Sequence, residues 1–126
     1  MHDEFQYNDL TSLIIKCFYE VYNELGYGFL EKVYENALKI ELESCGLEVA
    51  SQQPIKVMYK GVLVGEYYAD LVVNNDVIVE LKASSVLNEN HAIQLTNYLK
   101  STQVEVGLLL NFGQKPDIRR RVFSND

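Results

Sequence analysis

The sequence predicts an α/β sandwich, and three observations carry that expectation. Apolar residues recur at helical spacing in two stretches before residue 46 and in one after residue 88. Between them lie runs rich in Val, Ile and Tyr, separated by short turns of Gly and Asn. No internal repeat, low-complexity tract or linker divides the 126 residues, so residues 1–126 read as one domain around one core.

The first helix is expected from Leu10 to Leu25, with Leu13, Ile14, Cys17, Phe18 and Val21 on its apolar side and Asp9 as N-cap. Gly26-Tyr27-Gly28 breaks it. A second helix is expected from Phe29 to Cys45, turning Leu30, Val33, Tyr34, Ala37, Leu38 and Leu42 inward, with Gly46 as its stop. Strands follow at Leu47 to Gln52, Ile55 to Tyr59 and Val62 to Val73, the last two joined through Lys60-Gly61. Another spans Val77 to Ala83. Helical spacing returns from Asn88 to Ser101 through Ile93, Leu95, Tyr98 and Leu99. Val104 to Asn111 is apolar enough for a strand buried on both faces, and Ile118 to Phe123 reads as an edge strand.

Three charged residues break the apolar runs Tyr67 to Val73 and Val77 to Ala83: Asp70, Glu80 and Lys82. Burying an acid or a lysine costs several kcal/mol, on the order of a lost ion pair, unless it is paired, hydrogen-bonded or bound to metal. Alternation puts Glu80 and Lys82 on one face of their strand. Asp70 joins that face only if the turn at Asn74-Asn75-Asp76 is an odd loop that sets it opposite Glu80; a two-residue turn would set it opposite Val79. Two carboxylates suit a hard divalent cation such as Mg²⁺ or Mn²⁺, which needs few protein ligands. A neighbouring ammonium would meet the negative charge of a phosphoryl group under attack.

Composition sets limits on partners. The formal net charge of −7 opposes tight, unspecific binding to nucleic acid, whose affinity rests on neutralising phosphates. Arg119-Arg120-Arg121 is the one concentrated positive run, and it reads more readily as a solvated tail than as a phosphate-binding patch. No apolar run approaches the ~18 residues of a membrane span, and the N-terminus has no secretory pattern. Cys17 and Cys45 lie 28 positions apart, with no short metal-binding spacing, so reduced thiols and a cytoplasmic location are expected. His91 reads as a surface residue at a helix start and His2 as part of a frayed terminus.

At Gly28-Phe29-Leu30-Glu31-Lys32-Val33-Tyr34 the chain resembles the GxxExxY family, a branch of the PD-(D/E)XK nuclease-like superfamily. The likeness continues through Ala69-Asp70-Leu71, Glu80-Leu81-Lys82, Gln94 to Leu99 and Val106 to Phe112. It implies a restriction-endonuclease-like core: a central mixed sheet of four to five strands flanked by helices. By position, the resemblance makes Asp70 and Glu80 metal-ligating acids and Lys82 the group that stabilises the phosphate or the nucleophilic water. Glu31 matches the acid that many members carry on the first core helix. Gln94 and Tyr98 match a Gln-x-x-x-Tyr motif that supports the metal site in the recombination-exonuclease branch. Ala69 stands where the superfamily name has proline.

Each residue also has a plainer reading. Glu31 could complement a helix dipole, Glu80 and Lys82 could form an exposed ion pair, and Gln94 with Tyr98 could be a packed i, i+4 pair. The expected activity is metal-dependent hydrolysis of a phosphodiester in DNA or RNA. The alternative is an inactive nuclease-fold scaffold that holds a protein or nucleic-acid partner, and a homodimer with paired clefts is a third option. No membrane partner is expected.

Overall fold

The computed structural model describes residues 4–124, and His2 lies outside them. The N-terminal helical pattern forms α1 (Glu4–Leu25) and α2 (Glu31–Ser44). Helix α1 begins well before the expected start, so Asp9 sits within it and does not cap it. Its buried side chains include Ile14, Cys17, Phe18 and Val21, which the periodicity singled out, together with Thr11. Gly26 and Gly28 take positive φ (69° and 110°), which lets the chain turn sharply between the helices.

Tyr34 holds that turn closed. It is fully buried, and its hydroxyl donates to the Gly26 carbonyl at 2.6 Å and accepts from the Phe29 N–H at 3.2 Å. Its ring stacks on Phe112 with centroids 4.2 Å apart and planes at 13°. The tyrosine of the Gly28–Tyr34 motif is therefore a structural anchor between the interhelical turn and the sheet. Tyr34→Phe should cost about 1–3 kcal/mol, because two backbone groups of the turn lose the partner they have in the buried Tyr34 hydroxyl. A denaturant titration checks this, and an unchanged midpoint would remove the anchor role.

Five strands form one sheet in sequence order: β1 (Val49–Tyr59), β2 (Val62–Val73), β3 (Val77–Lys82), β4 (Val106–Phe112) and β5 (Pro116–Val122). All neighbours are antiparallel except β3 and β4, which run parallel and are joined by α3 (Glu89–Lys100). A parallel pair needs such a crossover. Asn88 caps α3, and His91 accepts from the Asn88 N–H, completing a reciprocal cap that accounts for this histidine.

The two segments expected at Leu47–Gln52 and Ile55–Tyr59 are one continuous strand, β1. Pro54 interrupts an inner strand but is tolerated on an outer one, and β1 lies at the sheet edge. Arg119, Arg120 and Arg121 are not a solvated tail: they form β5, paired with β4 at Leu109, Leu108 and Gly107. Arg119 bonds Asp117 at 3.1 Å and Arg120 bonds Asn8 at 3.1 Å.

The sheet is covered on both sides. One face carries Leu71, Val73, Val77, Val79, Leu108 and Leu110 against α1 and α2. The other carries Val72, Ile78 and Leu109 against Leu95, Tyr98 and Leu99 of α3. Every residue of β4 is buried, as its apolar run requires. Strand β3 is short and pairs with β2 only over Leu71 to Val73. The rest of the β1–β2 hairpin runs on as an arm with Met58, Tyr59, Val62, Leu63 and Val64 exposed.

Candidate active site

The site begins with a turn. Asn74 and Asn75 both take positive φ (52° and 57°), a conformation asparagine tolerates, and Val73 pairs with Val77 across them. The loop is thus the odd one, Asn74 to Asp76. Leu71 pairs with Val79 next, and the register carried one step further brings Asp70 opposite Glu80.

At that step the backbone ladder gives way to side chains. The Asp70 N–H donates to the Glu80 carboxylate at 2.7 Å, and the Leu81 N–H donates to the Asp70 carboxylate at 2.9 Å. Each acid occupies the hydrogen-bonding place of a carbonyl on its own strand. The two strands are held together here by two carboxyl groups, one from each. Glu80 is only 9% exposed and Asp70 is half-buried. Burial, then the neighbouring Asp70 charge, pushes the Glu80 carboxyl up to about 8, against the pull of the Asp70 N–H and Lys82. Asp70 is also raised, mainly by burial, although the Leu81 N–H, Gln52 and Lys82 counteract it. Two buried acids with raised values are groups that lack a countercharge.

Lys82 is the last residue of β3, half-buried and opposite Asn111 of β4. Its charge lowers both acids, yet it forms no ion pair within 4 Å among the described residues. The strand exit beyond it is fixed by Asn111, whose buried amide accepts from the Ser84 N–H at 3.0 Å and donates to the Ser84 carbonyl at 2.9 Å.

Glu31 does not join this cluster. It is exposed at the first residue of α2 and makes no hydrogen bond or ion pair among the described residues. The helix acid that reaches the pair is Glu35, one turn further along and 5% exposed. Positions 31 and 35 share a helix face, so spacing alone does not separate them; only the second lies over the sheet. Glu35 bonds Lys32 at 2.9 Å and Gln52 at 3.0 Å, and its charge raises both Asp70 and Glu80.

Gln52 was not singled out by the sequence. It has φ of 51° where the β1–β2 register skips a pair, directly across from Asp70. The flanking pairs Ser51–Leu71 and Gln53–Ala69 keep one register, so Gln52 is a position of positive φ left out of the ladder, with no residue inserted. Its amide donates to Glu35 at 3.0 Å and to Asp70 at 3.4 Å, bridging helix and strand. The one available signal was the polar run Ser51-Gln52-Gln53, which breaks the alternation of an otherwise apolar strand.

Gln94 and Tyr98 sit one turn apart on α3, with the Gln94 amide donating to the Tyr98 hydroxyl. Tyr98 is buried, and its hydroxyl is raised first by that burial and further by Glu80 and Asp70. The two residues also line an open groove of about 690 Å³ between α3 and the β1–β2 arm, with Tyr67, Asn90, Asn97 and Lys100. Asp70 and Glu80 do not line it, so the groove adjoins the acid cluster through Tyr98 and is not the cluster itself.

A mixed sheet with one helical crossover, carrying two strand acids, a helix acid and a strand lysine, defines a nuclease-like α/β fold. The sequence profile of the PD-(D/E)XK nuclease superfamily matches residues 8–121, and the chain belongs to that superfamily. Among solved structures, the crystal structure of SSO0001 is similar with a TM-score of 0.59 and 17% identity, over 75% of this chain and 50% of that one. The chain thus spans about half the length of SSO0001, and likeness at this identity concerns the fold. No curated protein matches the chain. No helix among the described residues is long and apolar enough to cross a membrane.

Divalent metals are usual in this superfamily, and the residues present fit one. Asp70, Glu80 and Glu35 offer only carboxylate oxygens, a donor set for a hard cation. The raised values of Asp70 and Glu80 are what a cation would relieve.

Proposed function

We propose that this chain hydrolyses phosphodiester bonds in DNA or RNA with Mg²⁺ or Mn²⁺ held by Asp70, Glu80 and Glu35. The observation that carries this reading is the contact between nearly buried Glu80 and half-buried Asp70, beside a lysine with no ion pair among the described residues. Such a cation supplies an acidified water and polarises a phosphoryl oxygen. The Asp70 and Leu81 N–H groups hold the Glu80 and Asp70 carboxyls side by side between β2 and β3. Gln52 orients Glu35 and Asp70 together. Lys82, free of an ion pair among the described residues, meets the negative charge that gathers on the phosphate. Tyr98 and Gln94 close the α3 side of the site. The narrower assignment to the GxxExxY branch rests on Gly28, Glu31 and Tyr34 at the family's spacing.

A scaffold without catalysis is favoured by one specific observation: net charge is −7, while apolar side chains are exposed along the β1–β2 arm. Titration of Mn²⁺ into wild type and the Asp70→Ala/Glu80→Ala variant, followed by cleavage assays on single- and double-stranded DNA and RNA, separates the two. Metal binding lost in the variant, with metal-dependent cleavage by wild type, supports the nuclease; absence of site-dependent binding leaves the scaffold. Lys82→Ala should lower cleavage about 10²–10³-fold, as for other lost transition-state donors. Its Mn²⁺ isotherm should stay close to wild type, and joint loss of binding and cleavage would contradict the role given to Lys82.

A further inference from the structure

Away from the acid cluster, the fold gathers three groups that the sequence spacing kept apart. Cys17 on α1 is 2% exposed, and its Sγ lies 3.7 Å from the Sγ of Cys45, the C-cap of α2. Glu41, one helical turn before Cys45 and on the same side of α2, brings a carboxylate oxygen so that all three donor atoms lie within 4.8 Å of one another.

We propose that Cys17, Glu41 and Cys45 form a binding site for a borderline-soft divalent cation of the Zn²⁺ class, clipping α1 to the end of α2. The sulfur separation is the main argument. Two thiolates at ~2.3 Å from a tetrahedral Zn²⁺ stand roughly 3.8 Å apart, close to the observed distance. A disulfide needs ~2.05 Å, so the sulfurs would have to approach by more than ~1.5 Å. Chemistry agrees with geometry: two sulfurs select a softer ion than the all-oxygen set at Asp70 and Glu80, so the two sites differ in preference. Cys45 is exposed and Glu41 half-buried, which leaves an entry route and an open fourth position for water. The buried thiol gives up its proton only when the cation arrives, since a coordinating thiol is deprotonated outright.

The test is Co²⁺ titration of the reduced full chain, with excess Mg²⁺ present to hold the carboxylate site, followed by competition with Zn²⁺. Wild type should take up one equivalent with thiolate-to-metal charge-transfer absorption that Zn²⁺ bleaches. Zn²⁺ should also raise its melting temperature. Cys45→Ser, at an exposed position, should keep its circular dichroism spectrum but lose both the absorption and the Zn²⁺-dependent shift. Glu41→Gln should weaken Co²⁺ binding while keeping the thiolate band. Reduced wild type without that band, or Cys45→Ser binding as wild type does, would overturn the site. So would a Cys17–Cys45 disulfide formed by mild peroxide in protein that takes up no metal when reduced.

Discussion

Glu80→Gln is expected to make the metal-free protein more stable than wild type at pH 8, by about 1–4 kcal/mol. The cause is the energy of the carboxylate in place. Glu80 is nearly buried and its carboxyl is raised from 4.5 to about 8 by burial and by Asp70. The folded state therefore holds a proton that the unfolded chain releases near pH 4.5. The stability linked to that proton is complete below about pH 4.5, declines as pH rises and is gone above about pH 8. Asp70 is shifted in the same direction and adds to the slope. Glutamine keeps the acceptor for the Asp70 N–H and carries no charge, so the variant should lose most of this decline. Urea titrations at several pH values from 5 to 8, with chelator present, make the comparison. Mn²⁺ should restore wild-type stability at pH 8 by mass action and leave the variant almost unchanged. A wild type whose metal-free stability does not fall between pH 5 and 8 would remove the repelling acid pair as the driver of metal binding.

The second large effect separates two acids on one helix. Glu35→Gln should weaken Mn²⁺ binding and lower cleavage by about 10–100-fold, the range found when a group supporting a metal site is lost. Glu31→Gln should leave both near wild type, because that side chain is exposed and contacts nothing in the cluster. Glutamine at 35 retains hydrogen bonding to Gln52 while losing the charge, so circular dichroism and melting should stay close to wild type. Equal losses from the two variants, or a larger loss at Glu31, would return the helix-acid role to the first turn of α2.

These comparisons mark where the sequence was informative. Local chemistry was readable. The Asn-Asn-Asp turn was legible with two possible registers, the catalytic reading required the odd one, and the structure has it, with Asp70 and Glu80 side by side. The apolar run of β4, broken only by Asn111, announced its own burial. The errors lie where distant parts of the chain meet. Glu31 and Glu35 repeat on one helical face, and only packing against the sheet chooses between them. Gln52 owes its position to a positive φ within β1 that no propensity foretells, and β1 runs through Pro54 because it lies outermost. Cys17 and Cys45 come together through helix packing across 28 positions.

The substituted rung between β2 and β3 has one more consequence. The amide protons of Asp70 and Leu81 point at carboxylates and not at carbonyls. Their magnetic resonance frequencies therefore register the ionisation of the very acids that bind a cation. Two backbone atoms, needing no label beyond nitrogen-15, become built-in gauges of whether the centre is protonated, charged or filled.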